Sequence, residues 1–270
     1  MNRQMKLAAV LVVCGGLAAW TPAAVVETWE SAPLQTVFDG NADQTWLGDI
    51  GAFAIEPADW PDGANVFAGE KAVRAYTIDA TGLYTIVTDV AGEVGPSQAT
   101  EWSAYASGNS IAIQSGYWFQ MVLLANTSDV AAIESPDEAF AGYKLSVTTG
   151  DYLTLWKCAA GDAAWTALDD LYLGSAAVSH GWNFHVSRSA DGQWTVSHAN
   201  GLIGTPPVED FTVADTSVDL AGAAWYSGMS WRTKDSRHEQ KFGFDNFQVV
   251  PEPITLGLLA LGGLALRRRR

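Results

Sequence analysis

The sequence predicts an all-β chain: one antiparallel β-sandwich with an export signal before it and a short apolar segment after it. Three observations lead there. Helical periodicity is poor throughout, while short β-branched and aromatic runs bounded by Gly, Asp, Asn or Pro recur every ten or so residues. Two stretches alternate apolar and polar residues on both sides of a turn, as hairpins do. The composition (270 residues, 48% hydrophobic, 11% aromatic, 17% charged) excludes a disordered chain, and two cysteines exclude a disulfide scaffold. A formal charge of -15 repels phosphate, so no nucleic-acid partner is expected.

Residues 1–24 have the organisation of a secretory signal peptide. Arg3 and Lys6 form the charged region, Leu7 to Ala19 the apolar region, and Thr21-Pro22-Ala23-Ala24 offers small residues for cleavage after Ala23 or Ala24. With no twin-arginine pair, the Sec machinery and signal peptidase are the expected partners. A lipobox at Leu11-Val12-Val13-Cys14 is the alternative, but Val13 is large where a small residue is required.

The body, residues 25–250, shows neither linker nor repeat. Expected strands are Val25–Trp29, Ala72–Ile78, Tyr84–Val90, Ser110–Gln114, Trp118–Ala125, Lys144–Thr148, Tyr152–Lys157, Trp182–Arg188, Trp194–His198, Ala223–Ser230 and Lys241–Val250. Residues 117–124 are apolar on both faces and read as a central strand. In the hairpin around Asp191-Gly192, Trp182, Phe184 and Val186 share a face, and pairing Val186 with Val196 gathers the large apolar groups on one side. A second hairpin turns at Thr149-Gly150-Asp151 and sets Leu145 and Val147 against Leu153 and Leu155.

After the body, Pro251-Glu252-Pro253 precedes an apolar run from Ile254 to Leu266, and Arg267, Arg268, Arg269 and Arg270 close the sequence. Thirteen helical residues cover about 20 Å, short of a ~30 Å hydrocarbon core. Seven Leu and Ile contribute about 2–4 kcal/mol in total, and drawing one arginine to the bilayer centre costs about 2.5–3.5 kcal/mol. The expected result is a weak transmembrane helix whose arginines stay in the cytoplasm: a temporary tether. Without both ends the body keeps nine basic and 29 acidic residues, a charge near -20, and one cysteine, Cys158.

The order PEP, apolar helix, arginine cluster resembles the PEP-CTERM sorting signal of Gram-negative exported proteins. That resemblance implies an exosortase, an integral membrane cysteine protease that cuts at the PEP motif, and a route from transient inner-membrane anchoring to the cell surface or extracellular matrix. The body resembles concanavalin A-like, laminin-G-type jelly rolls. The residues that carry this are Gly142-Tyr143-Lys144-Leu145, Tyr152-Leu153-Thr154-Leu155-Trp156, Gly181-Trp182-Asn183-Phe184-His185-Val186 with its Trp194-Thr195-Val196 return, and Phe242-Gly243-Phe244-Asp245-Asn246-Phe247.

Chemical signatures are few. Some jelly rolls of this class hydrolyse glycosides with two carboxyl groups about 5–5.5 Å apart. Their E-x-D-x-x-E pattern is absent, and Glu27-Thr28-Trp29-Glu30 and Asp137-Glu138 are wrongly spaced. His238-Glu239 begins like a zinc motif, but Phe242 stands where the second ligand belongs. There is no G-x-S-x-G elbow, and Cys158 has no evident partner. No catalytic residue is therefore expected. Asp245 shares parity with Phe247 and Val249, which places it among core residues, and the jelly-roll resemblance makes Glu30 and Asp245 the expected ligands of a structural calcium. Tyr152 and Trp156 lie opposite one apolar face, and Asn183, His185 and Thr195 opposite another. Were those strands neighbours, aromatic platforms and polar groups would share an outward face suited to a polysaccharide. The leading expectation is a non-catalytic, carbohydrate-binding surface or matrix protein. A secreted polysaccharide hydrolase and a purely structural matrix component are the alternatives.

Overall fold

The structure is a computed structural model that describes residues 25–27, 29, 45–57, 71–75, 82–108, 118–147, 152–173, 181–221, 224–233 and 242–251. Its strands in chain order are β1 (Val25–Glu27), β2 (Trp46–Gly48), β3 (Phe53–Pro57), β4 (Lys71–Ala75), β5 (Gly82–Asp89), β6 (Thr100–Gly108), β7 (Trp118–Ala125) and β8 (Gly142–Val147). They continue with β9 (Tyr152–Cys158), β10 (Thr166–Tyr172), β11 (Trp182–Arg188), β12 (Gln193–Asn200), β13 (Val208–Ala214), β14 (Tyr226–Thr233) and β15 (Phe242–Pro251). Among the described residues a 3-10 turn spans Ile50–Ala52, and a helix, α1 (Val130–Glu134), is capped by the Asp129 carboxylate, which accepts the Ala131 amide.

Two antiparallel sheets form the sandwich. The first has the order β13-β12-β11-β6-β15-β4-β3, with β1 also paired to β15; the second runs β10-β9-β8-β7-β14-β5-β2. Their inner faces meet in one core. Phe119 of the second sheet stacks on Phe184 of the first at 5.2 Å, and Tyr143 packs on Trp194 at 4.4 Å. Trp102 Nε1 crosses the core to donate to Ser227 Oγ at 3.2 Å, which satisfies a polar atom that burial would otherwise orphan.

Both expected hairpin registers are present. Val186 faces Val196; Leu145 faces Leu155 and Val147 faces Leu153. The first turn needs Gly192, whose φ is +86° and whose added Cβ would lie 2.3 Å from Thr216 Cγ2. β7 is buried on both faces from Phe119 to Ala125, as its apolar run requires. Strands β2, β3, β6, β10 and β13 were not expected. Segment Ser110–Gln114 and the terminal signals outside 25–251 lie outside the described residues, as do Ala23, Ala24 and Glu30.

One placement is corrected. Asp245 does not share a face with Phe247 and Val249, because β15 bulges between Asp245 and Gln248, with Asn246 at φ +49°. The extra residue inverts parity. Phe244, Phe247 and Val249 enter the core, while Asp245 pairs with Tyr105 and turns to the outer side of the first sheet.

Candidate functional site

Away from the core, the second sheet presents a polar row that register alone assembles. Met121, Met229, Leu145 and Leu155 point inward, so the residues alternating with them point out. Thr85 faces Ser230, Ser230 faces Gln120, Gln120 faces Ser146, and Ser146 faces Thr154. All five are buried. Thr85 Oγ1 and Ser230 Oγ lie 2.7 Å apart, and Trp156 Nε1 donates to Ser146 Oγ at 2.8 Å. Gln120 is 2% exposed, and its Nε2 has no hydrogen-bond partner. A buried amide without an acceptor costs about 1–3 kcal/mol, so this donor is a feature in need of a reason.

Groups of different character border the row. On one side the face is apolar: Val87, Val122, Ala125, Ile133, Phe140 and Cys158 cluster together, and Ile133 is the buried residue of α1. On the other side Tyr152 and Tyr172, register partners on β9 and β10, lie with ring centroids 5.3 Å apart and remain 42% and 56% exposed. Arg232 is exposed near the end of β14.

Charge enters from two positions. Lys144, beside Trp156 in register, holds Nζ 4.3 Å from the Trp165 ring centre and 5.9 Å from that of Trp156. Burial draws its ammonium down to about 7. Glu134, the last residue of α1, accepts from Thr85 Oγ1 at 3.4 Å. Burial first, and the Asp49 carboxylate second, push its carboxyl up to about 7. Asp49 reaches the same threonine, accepting the Thr85 amide at 2.9 Å.

The expected ligand residues divide between the sheets. Tyr152 and Trp156 belong to the face just described. Asn183, His185 and Thr195 lie on β11 and β12 of the first sheet, so the two groups do not share a face. Their side chains have local partners. Asn183 Nδ2 donates to Leu202 O at 3.0 Å and its Oδ1 accepts from Gly204 N at 2.9 Å; His185 Nε2 lies 3.5 Å from Glu101; and Thr195 Oγ1 is 3.4 Å from Thr212 Oγ1.

The calcium expectation has a poor donor set. Asp245 is buried, and its Oδ1 accepts the Asn246 amide at 2.7 Å. Glu30 lies outside the described residues, and among the described residues no three His, Cys, Asp or Glu side chains come together. Cys158 is a free, buried thiol that burial pushes up. His198 and Asp210 form a 2.8 Å pair across the irregular β12–β13 ladder, on the other sheet from the polar row. Sequence reasoning missed Gln120, Ser146, Thr85, Ser230, Lys144 and Glu134. The one available signal was a glutamine inside the apolar run 117–124.

Comparison with known proteins adds two facts. The PEP-CTERM protein-sorting motif matches residues 249–270, which marks the chain for export with transient membrane anchoring before processing. Among the described residues no helix is long and apolar enough to cross a membrane; the run from Ile254 to Leu266 lies outside them. No curated protein matches the chain. Among solved structures, a protein of unknown function from Shewanella oneidensis MR-1 is similar at 11% identity and TM-score 0.51, covering 93% of this chain and 94% of that one. A legume lectin-like domain from Entamoeba histolytica is similar at 8% identity and TM-score 0.42, over 73% of this chain and 88% of that one. The binding domain of Paraclostridial Mosquitocidal Protein 1 follows at 11% identity and TM-score 0.47, over 83% of this chain. This chain spans about half of that domain's length (48%). Likeness at such identities speaks to fold alone, and the Shewanella protein shares the two-sheet β-sandwich over nearly the whole of both chains.

Proposed function

We propose that this is an exported, exosortase-processed surface or matrix protein that binds carbohydrate on the outer face of the sheet β10-β9-β8-β7-β14-β5-β2. One observation carries the reading: the transverse row from Thr85 to Thr154, with the Gln120 Nε2 donor unpartnered, between aromatic groups. Sugars present hydroxyls to a polar floor and apolar ring faces to aromatic walls, and Trp156, Tyr152 and Tyr172 supply those walls. Gln120 Nε2 is closed off from solvent, so a sugar hydroxyl becomes its acceptor only when the side chains that cover it move aside on binding. The mature body begins near Val25, and its net negative charge favours neutral glycans over anionic ones.

Glycan-array binding by the exported, processed protein tests this. The wild type is expected to retain neutral oligosaccharides, and Trp156→Ala to lose them while still melting cooperatively. Equal binding by both proteins, or none by the wild type, counts against the site.

A second reading, hydrolysis of the bound glycan, is favoured by Glu134. Its carboxyl holds a proton up to about pH 7, as a general acid must, and Asp49 is the carboxylate beside it. Glu134→Gln separates the readings: loss of reducing-end release with binding intact supports hydrolysis, and no release by the wild type excludes it.

A further inference from the structure

We propose that sorting leaves Pro251 on the mature protein, because the first residue of the Pro251-Glu252-Pro253 motif is already a residue of the folded sandwich. This rests on the sorting reading above. β15 runs through Pro251, and its end is paired with β6: Val249 with Trp102, Val250 with Glu101, Pro251 with Thr100. On its other edge Val249 faces Val25 and Gln248 faces Val26 of β1. Val249 and Pro251 are buried, and so is Thr100, whose hydroxyl donates to Glu93 O at 2.9 Å. Proline suits the last place in a strand, since it brings no amide hydrogen to continue the ladder.

A protease acts on chain that is free of other partners, and paired segments are cut only after they open. Cleavage at Val250 requires the end of β15 to be peeled from β6, and cleavage at Val249 or earlier requires it to be peeled from β1 as well, which withdraws Val249 from the core. Cleavage beyond Pro251 leaves every ladder pair in place. The geometry is compact at this end: Val25, the first residue of β1, stands opposite Val249. Val25 and the end of β15 therefore stand at neighbouring points of the sheet. No spacer separates the fold from the motif, so the fold itself limits how far back the cut can fall.

The test is intact mass with C-terminal peptide sequencing of the processed protein, recovered from the surface fraction of an exporting host that makes the full-length chain. A C-terminal peptide that contains Pro251 is expected. A terminus at Val250 or any earlier residue of β15 overturns the inference and leaves the sorting reading standing. A retained Arg270 terminus overturns the sorting reading, and this inference with it.

Discussion

Gln120 lies between Phe119 and Met121, two residues committed to the core, yet its own side chain is turned to the opposite face and kept from water. Its position makes a test that separates binding from packing. Gln120→Met keeps the length of the side chain and removes the unpartnered Nε2 donor. With no ligand bound, stability is expected to hold or to rise by about 1 kcal/mol, since a buried unsatisfied donor is lost. Glycan binding is expected to fall in the same variant. Denaturant titration decides it: a loss of 2 kcal/mol or more in the unliganded protein would show that the amide is a structural contact.

Glu134 and Lys144 give a second prediction at this scale. The folded protein holds the Glu134 proton up to about pH 7, whereas the unfolded chain releases it near the ordinary glutamate value. Between those two pH values the native state binds more protons, so this group makes stability fall as pH rises. Lys144 acts in the opposite window. Folded, it loses its proton at about 7; unfolded, near the ordinary lysine value. There the unfolded state binds more protons, and stability rises with pH. Together the two groups lower stability most near neutrality. Melting temperatures across pH 4.5–10 are expected to show the wild type recovering relative to Glu134→Gln toward acid, and relative to Lys144→Met toward alkali. Parallel curves for all three proteins would remove the assignment.

At the scale of elements, the outer face depends on how closely β5, β14 and β7 approach. Gly228 faces Val122 on one side and Val87 on the other, and a Cβ there would stand 1.9 Å from Ile86 O and 2.7 Å from Val87 Cα. Backbone cannot yield as a side-chain tip can. Gly228→Ala is expected to cost about 3 kcal/mol or more, read as a drop in denaturation midpoint, because the strands that carry Thr85, Ser230 and Gln120 must part. A midpoint within the error of the wild type would show that the ladder relaxes. The same strands show what could be read in advance. Registers that rest on large alternating side chains, Val186 with Val196 and Leu145 with Leu155, were legible because a slip exposes every one of them. β6 was not, although it is central to the first sheet. Ala104 and Ala106 are small core residues that carry little pattern, and the strand is specified by its partners β11 and β15. β10 and β13 end their sheets, and edge strands with exposed Asp169 or Glu209 read as loop. The bulge at Asn246 had no signature in composition, and through it Asp245 was assigned to the wrong side. The polar row escaped for a related reason: its members lie far apart in sequence and become a site only through register across five strands.

At the scale of the whole molecule, the last strand made is the one that closes the first sheet. β15 lies between β6 on one edge and β1 and β4 on the other, so it joins the start of the body to its end. That sheet is incomplete until the chain has crossed the membrane as far as Pro251, and such long-range pairing is slow to form. A C-terminal tether suits this order of events, because it retains the chain at the membrane while β15 finds its place. The stability consequence can be measured with two bodies that both begin at Val25. One ends at Pro251; the other ends at Phe244 and lacks Phe247 and Val249, both fully buried. Removing a core Phe costs about 3–5 kcal/mol, and lost β-branched burial about 2 kcal/mol more, against a total of ~5–15 kcal/mol for a domain. The longer body is expected to unfold in one cooperative transition and the shorter one to show none, by circular dichroism during heating. A cooperative transition in the shorter body, within a few degrees of the longer, would mean that β15 is an appendage to the sandwich, and that the fold neither waits for the end of export nor limits where the tail is cut.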